Sequence, residues 1–200
     1  MTKRSRPVHG FRRCFATAGA LALVMLAWAA LPAQAQVIDR ERFEFSFNDE
    51  PSELCGLAVL QDSEVTGTAH VRVGKGKVDS AFFAHVTFQY TDTFTNPANG
   101  KFLTIEGHAV FQETKAIPVE GTVFRFIDVE AGQIVVLRDS SGRVVLRDRG
   151  AIRSSILFDT LGDDTPGGEE LEDRVTIRLA GPHPSFDEDA FCAAVEDLIG

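Results

Sequence analysis

From Gln36 onward, apolar residues recur mostly at a spacing of two. Phe43, Phe45 and Phe47 alternate with Arg42, Glu44 and Ser46, and Val65, Gly67, Ala69, Val71 and Val73 alternate with Thr66, Thr68, His70 and Arg72. After the turn sequence GKGK the pattern resumes in Phe82, Ala84, Val86, Phe88 and Tyr90. After the loop sequence NPANGK it resumes again in Leu103, Ile105, Gly107, Ala109 and Phe111. Alternation of this kind marks antiparallel strands with one apolar and one wet face. Gly121 to Glu130 and Gln133 to Arg138 read as two strands around an Ala131-Gly132 turn. VVLRD occurs at Val135–Asp139 and again at Val144–Asp148, which reads as similar strand composition rather than duplication. Ala151 to Phe158 and Val175 to Ala180 complete about nine strands.

Only the last stretch leaves this period. Ser185-Phe186-Asp187-Glu188 has the S-x-x-E form of a capping box, and Phe191, Val195 and Leu198 follow at helical spacing. The pattern therefore predicts an all-β fold with one short C-terminal helix. The preferred architecture is an antiparallel barrel of about eight or nine strands, because closure removes exposed strand edges. A two-sheet sandwich is the alternative.

The N-terminus belongs to a different class. A basic segment, MTKRSRPVHGFRRC, precedes the apolar run FATAGALALVMLAWAALP and then Ala33-Gln34-Ala35. That is the layout of a cleavable export signal over residues 1–35, leaving residues 36–200 as one domain. Arg12-Arg13-Cys14-Phe15 partly matches the twin-arginine pattern, although Phe11 stands where Ser or Thr is expected, so either general secretion or twin-arginine export fits. The expected location is extracellular. Cleavage removes five basic residues (Lys3, Arg4, Arg6, Arg12 and Arg13) and no acids, taking the net charge from −9 to −14. A field of that sign repels nucleic acid and anionic lipid and suits divalent cations or basic partners. Cleavage also removes Cys14, leaving Cys55 and Cys192 as an even pair in an oxidising compartment, where a disulfide is expected. A catalytic thiol would need a basic neighbourhood, and Cys192 lies among carboxylates in SFDEDAFCAAVEDL.

The sharpest chemical question lies in FDTLGDDTPGGEELEDR, Phe158 to Arg174, with seven carboxylates around a Thr-Pro-Gly-Gly core. Asp159, Asp163, Asp164 and Glu169, with Glu170 beside them, offer oxygens on a bendable backbone, as calcium requires. The spacing is that of neither an EF-hand loop nor the secreted nonapeptide repeats, so a solvated hairpin is the competing reading. His70, His85 and His108 fall on the polar face of their strands, and a hairpin through NPANGK with Phe88 opposite Ile105 or Gly107 would bring His85 close to His108. Two imidazoles alone fall short of the three or four protein ligands zinc normally takes. His183 sits in the connector Gly181-Pro182-His183-Pro184.

Catalytic signals are weak. No G-x-S-x-G, H-E-x-x-H or C-x-x-C occurs, and Ser140-Ser141 and Ser154-Ser155 have no assigned base. Arg147, Arg149 and Arg153 with Asp148 form a basic island suited to an ion-paired strand surface or to clamping a carboxylate. Tyr90, the single tyrosine, lies on the predicted inner face, where it would either line a cavity and contact a ligand or serve as a core residue near a strand end.

The stretches VVLRDRGAI, FDTLGDDTPGG and LAGPHP, with CG near the start and FCAAV and LIG at the end, resemble a group of secreted proteins of high-GC actinobacteria. That resemblance implies export and carries no assigned activity. At the level of fold the expected barrel is similar to allene oxide cyclase and dirigent-type barrels, which licenses no catalytic residue. The leading expectation is a non-enzymatic secreted barrel that binds a small apolar ligand or an extracellular partner. A barrel enzyme of isomerase or cyclase type and a calcium-stabilised structural module are the alternatives.

Overall fold

The computed structural model describes residues 37–74, 81–162 and 165–200; the expected export signal, most of the GKGK turn and the Asp163-Asp164 pair lie outside them. The described chain forms nine antiparallel strands and one helix. The strands are β1 (Val37–Leu54), β2 (Leu57–Val73), β3 (Phe82–Thr95), β4 (Phe102–Glu120), β5 (Val123–Arg138), β6 (Val144–Arg147), β7 (Gly150–Asp159), β8 (Glu169–Glu170) and β9 (Val175–Ala180). The helix α1 (Glu188–Ile199) follows a single 3-10 turn at Pro184–Phe186.

The first five strands pair each with the next. The hydrogen-bonded order runs β1-β2-β3-β4-β5-β7-β8, with β6 on the upper part of β5 and β9 beside β8 on the free side of β7. The sheet does not close, so the expected barrel is not formed. Among the described residues no ladder joins β1 to β8 or β9. The reason lies in strand length: β1 offers eighteen residues, whereas β8 and β9 offer two and six. A barrel needs a last strand that matches the first in length and stagger.

The Ala131-Gly132 turn is also absent, since β5 runs straight through both residues. A register slip against β4 takes its place: Glu106 pairs with Val136 and His108 with Gln133, so Gly107 lies opposite the extra residues of β5. A bulge of this kind bends a strand without ending it.

Two glycines make room for aromatic rings. Gly67 pairs with Phe43 and Gly107 with Tyr90. A side chain at Gly67 would strike the Phe43 ring, and one at Gly107 would strike the Tyr90 ring and the Ile134 carbonyl. Cross-strand aromatic cover of a glycine restores the packing that the missing side chain forfeits.

The principal core lies where α1 meets the sheet. Val195 and Ile199, both fully enclosed, pack on Val59, Phe94, Leu103, Ile105 and Leu137. A second, smaller cluster joins Ala81, Phe124, Phe126 and Ile156, with Phe83 and Phe158 edge-on to Phe126.

Both ends of α1 are fastened. Cys192 is bonded to Cys55 across 137 residues of chain, with Cα atoms 5.3 Å apart. Cys55 occupies the two-residue turn between β1 and β2, where it and Gly56 have φ of 53° and 78°. Two positive φ values are those of the type I′ hairpin turn, whose twist matches the flanking strands. At the other end, the NPANGK loop caps the helix: Asn96 and Asn99 donate their side-chain amides to the Ile199 carbonyl at 2.8 and 3.0 Å. Lys101 Nζ donates to Gly200 O at 2.9 Å, placing a cation where the helix dipole favours one. The N-cap is Asp187, which accepts from the Ala190 N–H, rather than Ser185 of the expected capping box. Ser185 is engaged elsewhere, donating both its backbone N–H and its hydroxyl to the buried carboxylate of Asp148.

Two stability outcomes follow. Replacing both Cys55 and Cys192 by Ser should cost ~2–5 kcal/mol, read as a lower urea midpoint by far-ultraviolet circular dichroism; an unchanged midpoint would mean that helix docking alone suffices. Asn96, only 8% exposed, also accepts from the Ala98 N–H. Its replacement by Ala should cost ~1–3 kcal/mol, and by Asp more, because a second acceptor then faces the Ile199 carbonyl.

Candidate functional site

Two adjoining concavities lie on the polar face of the long strands. Alternation along β2, β3 and β4 sends Glu64, Thr66, Gln89, Thr91, Glu106 and His108 to one side, where they border a hollow of about 360 Å³. A second hollow of about 430 Å³ adjoins it, bordered by Arg42, Glu44, Thr68 and Thr87 and sharing Thr66, Gln89 and His108 with the first. Together they form one trough across β1 to β5. Its wall mixes the hydroxyls, amides and carboxylates of these residues with apolar surface from Phe43, Phe88, Tyr90 and Val136, and Gln89 pairs directly with His108. Glu106 is held on the wall by Arg138, whose Nε donates to Oε1 at 2.7 Å.

Tyr90 borders the first hollow. Its ring covers Gly107 and its hydroxyl donates to the Ile134 carbonyl at 2.8 Å, the group exposed by the slip in β5. Burial, reinforced by the charges of Asp92, Glu130 and Asp148, pushes its pKa up to about 12. A phenol so placed stays protonated and serves as a fixed donor.

The histidines are arranged differently from the sequence expectation. Phe88 pairs with Ala109, not with Ile105 or Gly107, which sets Gln89 opposite His108 and Gln112 opposite His85. The partner of His85 is instead His70 on β2, with ring centroids 6.0 Å apart. Asn96 N–H bonds to Lys101 O and centres the turn between Ala98 and Asn99, one residue later than pairing of Phe88 with Gly107 would require, which carries every partner on β4 two residues further along. Among the described residues no three His, Cys, Asp or Glu side chains gather as metal ligands.

The residues singled out in the acidic stretch separate into different settings. Asp159 accepts from the Thr122 hydroxyl at 2.6 Å and from the Leu161 N–H at 2.8 Å, and these bonds, the hydroxyl first, hold its pKa below the usual carboxylate range. Glu169 pairs with Asp159 in the short β7–β8 ladder and is exposed. Asp163 and Asp164 lie outside the described residues. The basic island does not gather either: Asp148 is fully buried and turned to Ser185, whereas Arg149 and Arg153 are exposed. His183 Nδ1 lies 3.8 Å from the Asp148 carboxylate, so the connector packs inward on it.

One charged group escaped the sequence reading. Asp128 is 2% exposed and binds Arg174 at 2.5 Å, and the Arg174 guanidinium lies over the Phe111 ring at 5.1 Å. Glu130 pairs with Phe111 and Glu113 with Asp128, which puts three acids on the apolar side of the sheet around one arginine. The signal was present in β5, where Asp128 and Glu130 continue the parity of Phe124 and Phe126. Burial raises the pKa of Glu113, Asp128 and Glu130, outweighing the lowering effect of Arg174.

Among the described residues no hydroxyl of the trough is hydrogen-bonded to a histidine, so the nucleophile–base geometry of hydroxyl catalysis is not assembled there. The arrangement is suited to hydrogen-bonding a polar ligand along the strands. Comparison with protein-family profiles, curated proteins and solved structures returned no match to this chain.

The three buried acids fix a pH dependence. Their folded pKa values exceed the unfolded ones, so the native state binds more protons over the interval between them and stability falls as pH rises from about 4 through the raised values. Asp139, held at about 2 chiefly by its bonds from Ser141 and Arg143, and the lowered Asp159 act oppositely, their contribution being lost only in stronger acid. Glu113→Gln keeps an acceptor for the Ala84 N–H, which now donates to Glu113 Oε2 at 2.6 Å. The variant should gain stability relative to wild type as pH rises, visible as converging or crossing curves of melting temperature against pH; parallel curves would contradict the assignment.

Proposed function

We propose that this protein is a non-enzymatic, exported binding module that holds an extended polar segment of an extracellular partner along the trough of its sheet. The observation that carries the reading is the trough itself: two joined hollows spanning β1 to β5, in which Thr, Gln, His and Glu side chains on the strands are interleaved with Phe43, Phe88 and Tyr90. Polar groups fixed on strands are pre-organised, so they hydrogen-bond a ligand with little further ordering. Charge selects the partner. Among the described residues bordering the hollows, the carboxylates Glu44, Glu64 and Glu106 outnumber the guanidinium of Arg42, and Arg138 is already committed to Glu106. A chain with a net charge of −9 favours a segment bearing lysine or arginine.

The expectation of a small apolar ligand retains one specific foothold. A cleft of about 190 Å³ is lined by Val71, Phe82, Ala84, Phe126 and Phe158, with the Glu113 carboxyl in its wall. Pockets for drug-sized ligands run to about 300–1,000 Å³, so this cleft would take only a few heavy atoms. The open sheet offers no barrel interior for anything larger.

A lysine- and serine-rich decapeptide, followed by amide chemical shifts, tests the proposal. Shifts should concentrate at Thr66, Gln89 and His108, and Glu64→Gln combined with Gln89→Ala should weaken binding about tenfold, roughly 1.4 kcal/mol. Shifts confined to the Phe126 cleft would favour the apolar-ligand reading, and a response unchanged by the double substitution would sink the trough as the binding face.

A further inference from the structure

The outer edge of β1 is the longest unpaired backbone in the fold. Val37–Leu54 pairs only with β2, and among the described residues no strand pairs with its other side, where the one local bond on the regular stretch is from the Arg40 N–H to the Asp39 carboxylate at 2.7 Å. From Asp39 to Phe47 the ladder to β2 is regular, without bulge or proline. Native sheets usually interrupt or cover such an edge, because its free N–H and C=O groups template another strand. Phe45 and Phe47 on this strand are 53% and 37% exposed, so the apolar side of the edge is open as well.

The charges along β1 choose the occupant. Consider a second copy of the same strand, antiparallel and centred on Phe43. Each residue then faces the one whose number completes the pair 42 with 44, 41 with 45, and 40 with 46. Arg42 of each copy meets Glu44 of the other, twice over, and no like charges stand directly opposite. Moving the centre by one residue puts Arg42 opposite Arg42 or Glu44 opposite Glu44. On the apolar side Phe43 meets its own copy and lies diagonal to the partner's Phe45. These rings are already stacked within one chain, with centroids 6.5 Å apart. The strand is self-complementary in this one register.

We propose that β1 pairs with β1 of a second copy, joining two sheets edge to edge about a twofold axis at Phe43. The inference rests on the strand edge and on Arg42 and Glu44, which also border the second hollow, and self-association is read separately from peptide binding. Both copies are acidic, and their long-range repulsion is screened beyond about 8 Å at physiological salt. The Arg42–Glu44 contacts lie well inside that distance.

The test is sedimentation velocity of residues 36–200 at physiological salt over a wide concentration series. Wild type should show a monomer–dimer equilibrium. Arg42→Glu and Glu44→Arg should each weaken self-association at least tenfold, because each sets four like charges against one another. Mixing the two variants should restore a dimer, now one copy of each, which requires both to be folded. Oxidation of Phe43→Cys should give a cross-link between the two copies at position 43, identified by peptide mass. A monomer at every concentration would overturn the proposal and leave the edge to a strand of another protein. A dimer indifferent to the single substitutions, or a mixture that stays monomeric, would overturn it equally.

Discussion

The fold depends on one short helix being held against the end of a long sheet. A single sheet has an apolar face and nothing of its own to cover it. Here α1 supplies the second layer, and only at one end, by inserting Val195 and Ile199 among Val59, Phe94, Leu103 and Leu137. Twelve residues give too little contact to be secure unaided, so the helix is tied at its start to the β1–β2 turn through Cys192 and Cys55 and capped at its end by Asn96, Asn99 and Lys101. The same two tethers draw the β1–β2 and β3–β4 turns together at one end of the sheet.

Away from the helix the sheet meets its needs by other means. Phe43 and Tyr90 lie over glycines on neighbouring strands, and the slip in β5 brings the Ile134 carbonyl within reach of the Tyr90 hydroxyl. Further along, Arg174 crosses the apolar face to bind Asp128 and cover Phe111. A buried ion pair surrounded by two further acids adds little net stability, because desolvation offsets the attraction. Its effect is to fix where the chain between β8 and β9 lies against the sheet. The polar face carries none of these devices and remains open as a trough.

Much of this was legible in the alternation of side chains. The period of two located the long strands, the parity assigned His70, His85 and His108 to the wet face, and Cys55 and Cys192 are bonded to each other as expected. What failed depended on relations between strands. Closure turns on the length of β8 and β9, which is set by pairing to β7 rather than by propensity. The position of His85 turned on how tightly NPANGK closes, and a small change in loop length moves every cross-strand partner. Ala131-Gly132 carries a turn-like composition, yet β5 passes through it because β4 and β7 pair on both sides. The S-x-x-E pattern pointed to Ser185 as the cap; the buried Asp148, remote in the chain, claimed it, and Asp187 caps the helix instead. The acid cluster at Asp128 was written in the parity of β5 but needed Arg174 to be intelligible.

The tether between Cys55 and Cys192 also orders events in time. Most strands pair with the one before them, and β7 and β9 reach back past only one short strand each, so the sheet can grow by local pairing, a route that favours rapid assembly. The principal core cannot be completed that way, since its helix is the last element described and its covalent partner lies 137 residues earlier. The first hairpin must therefore keep its thiol unspent while the sheet grows. Assembly finishes where it began, with the final element locking the first.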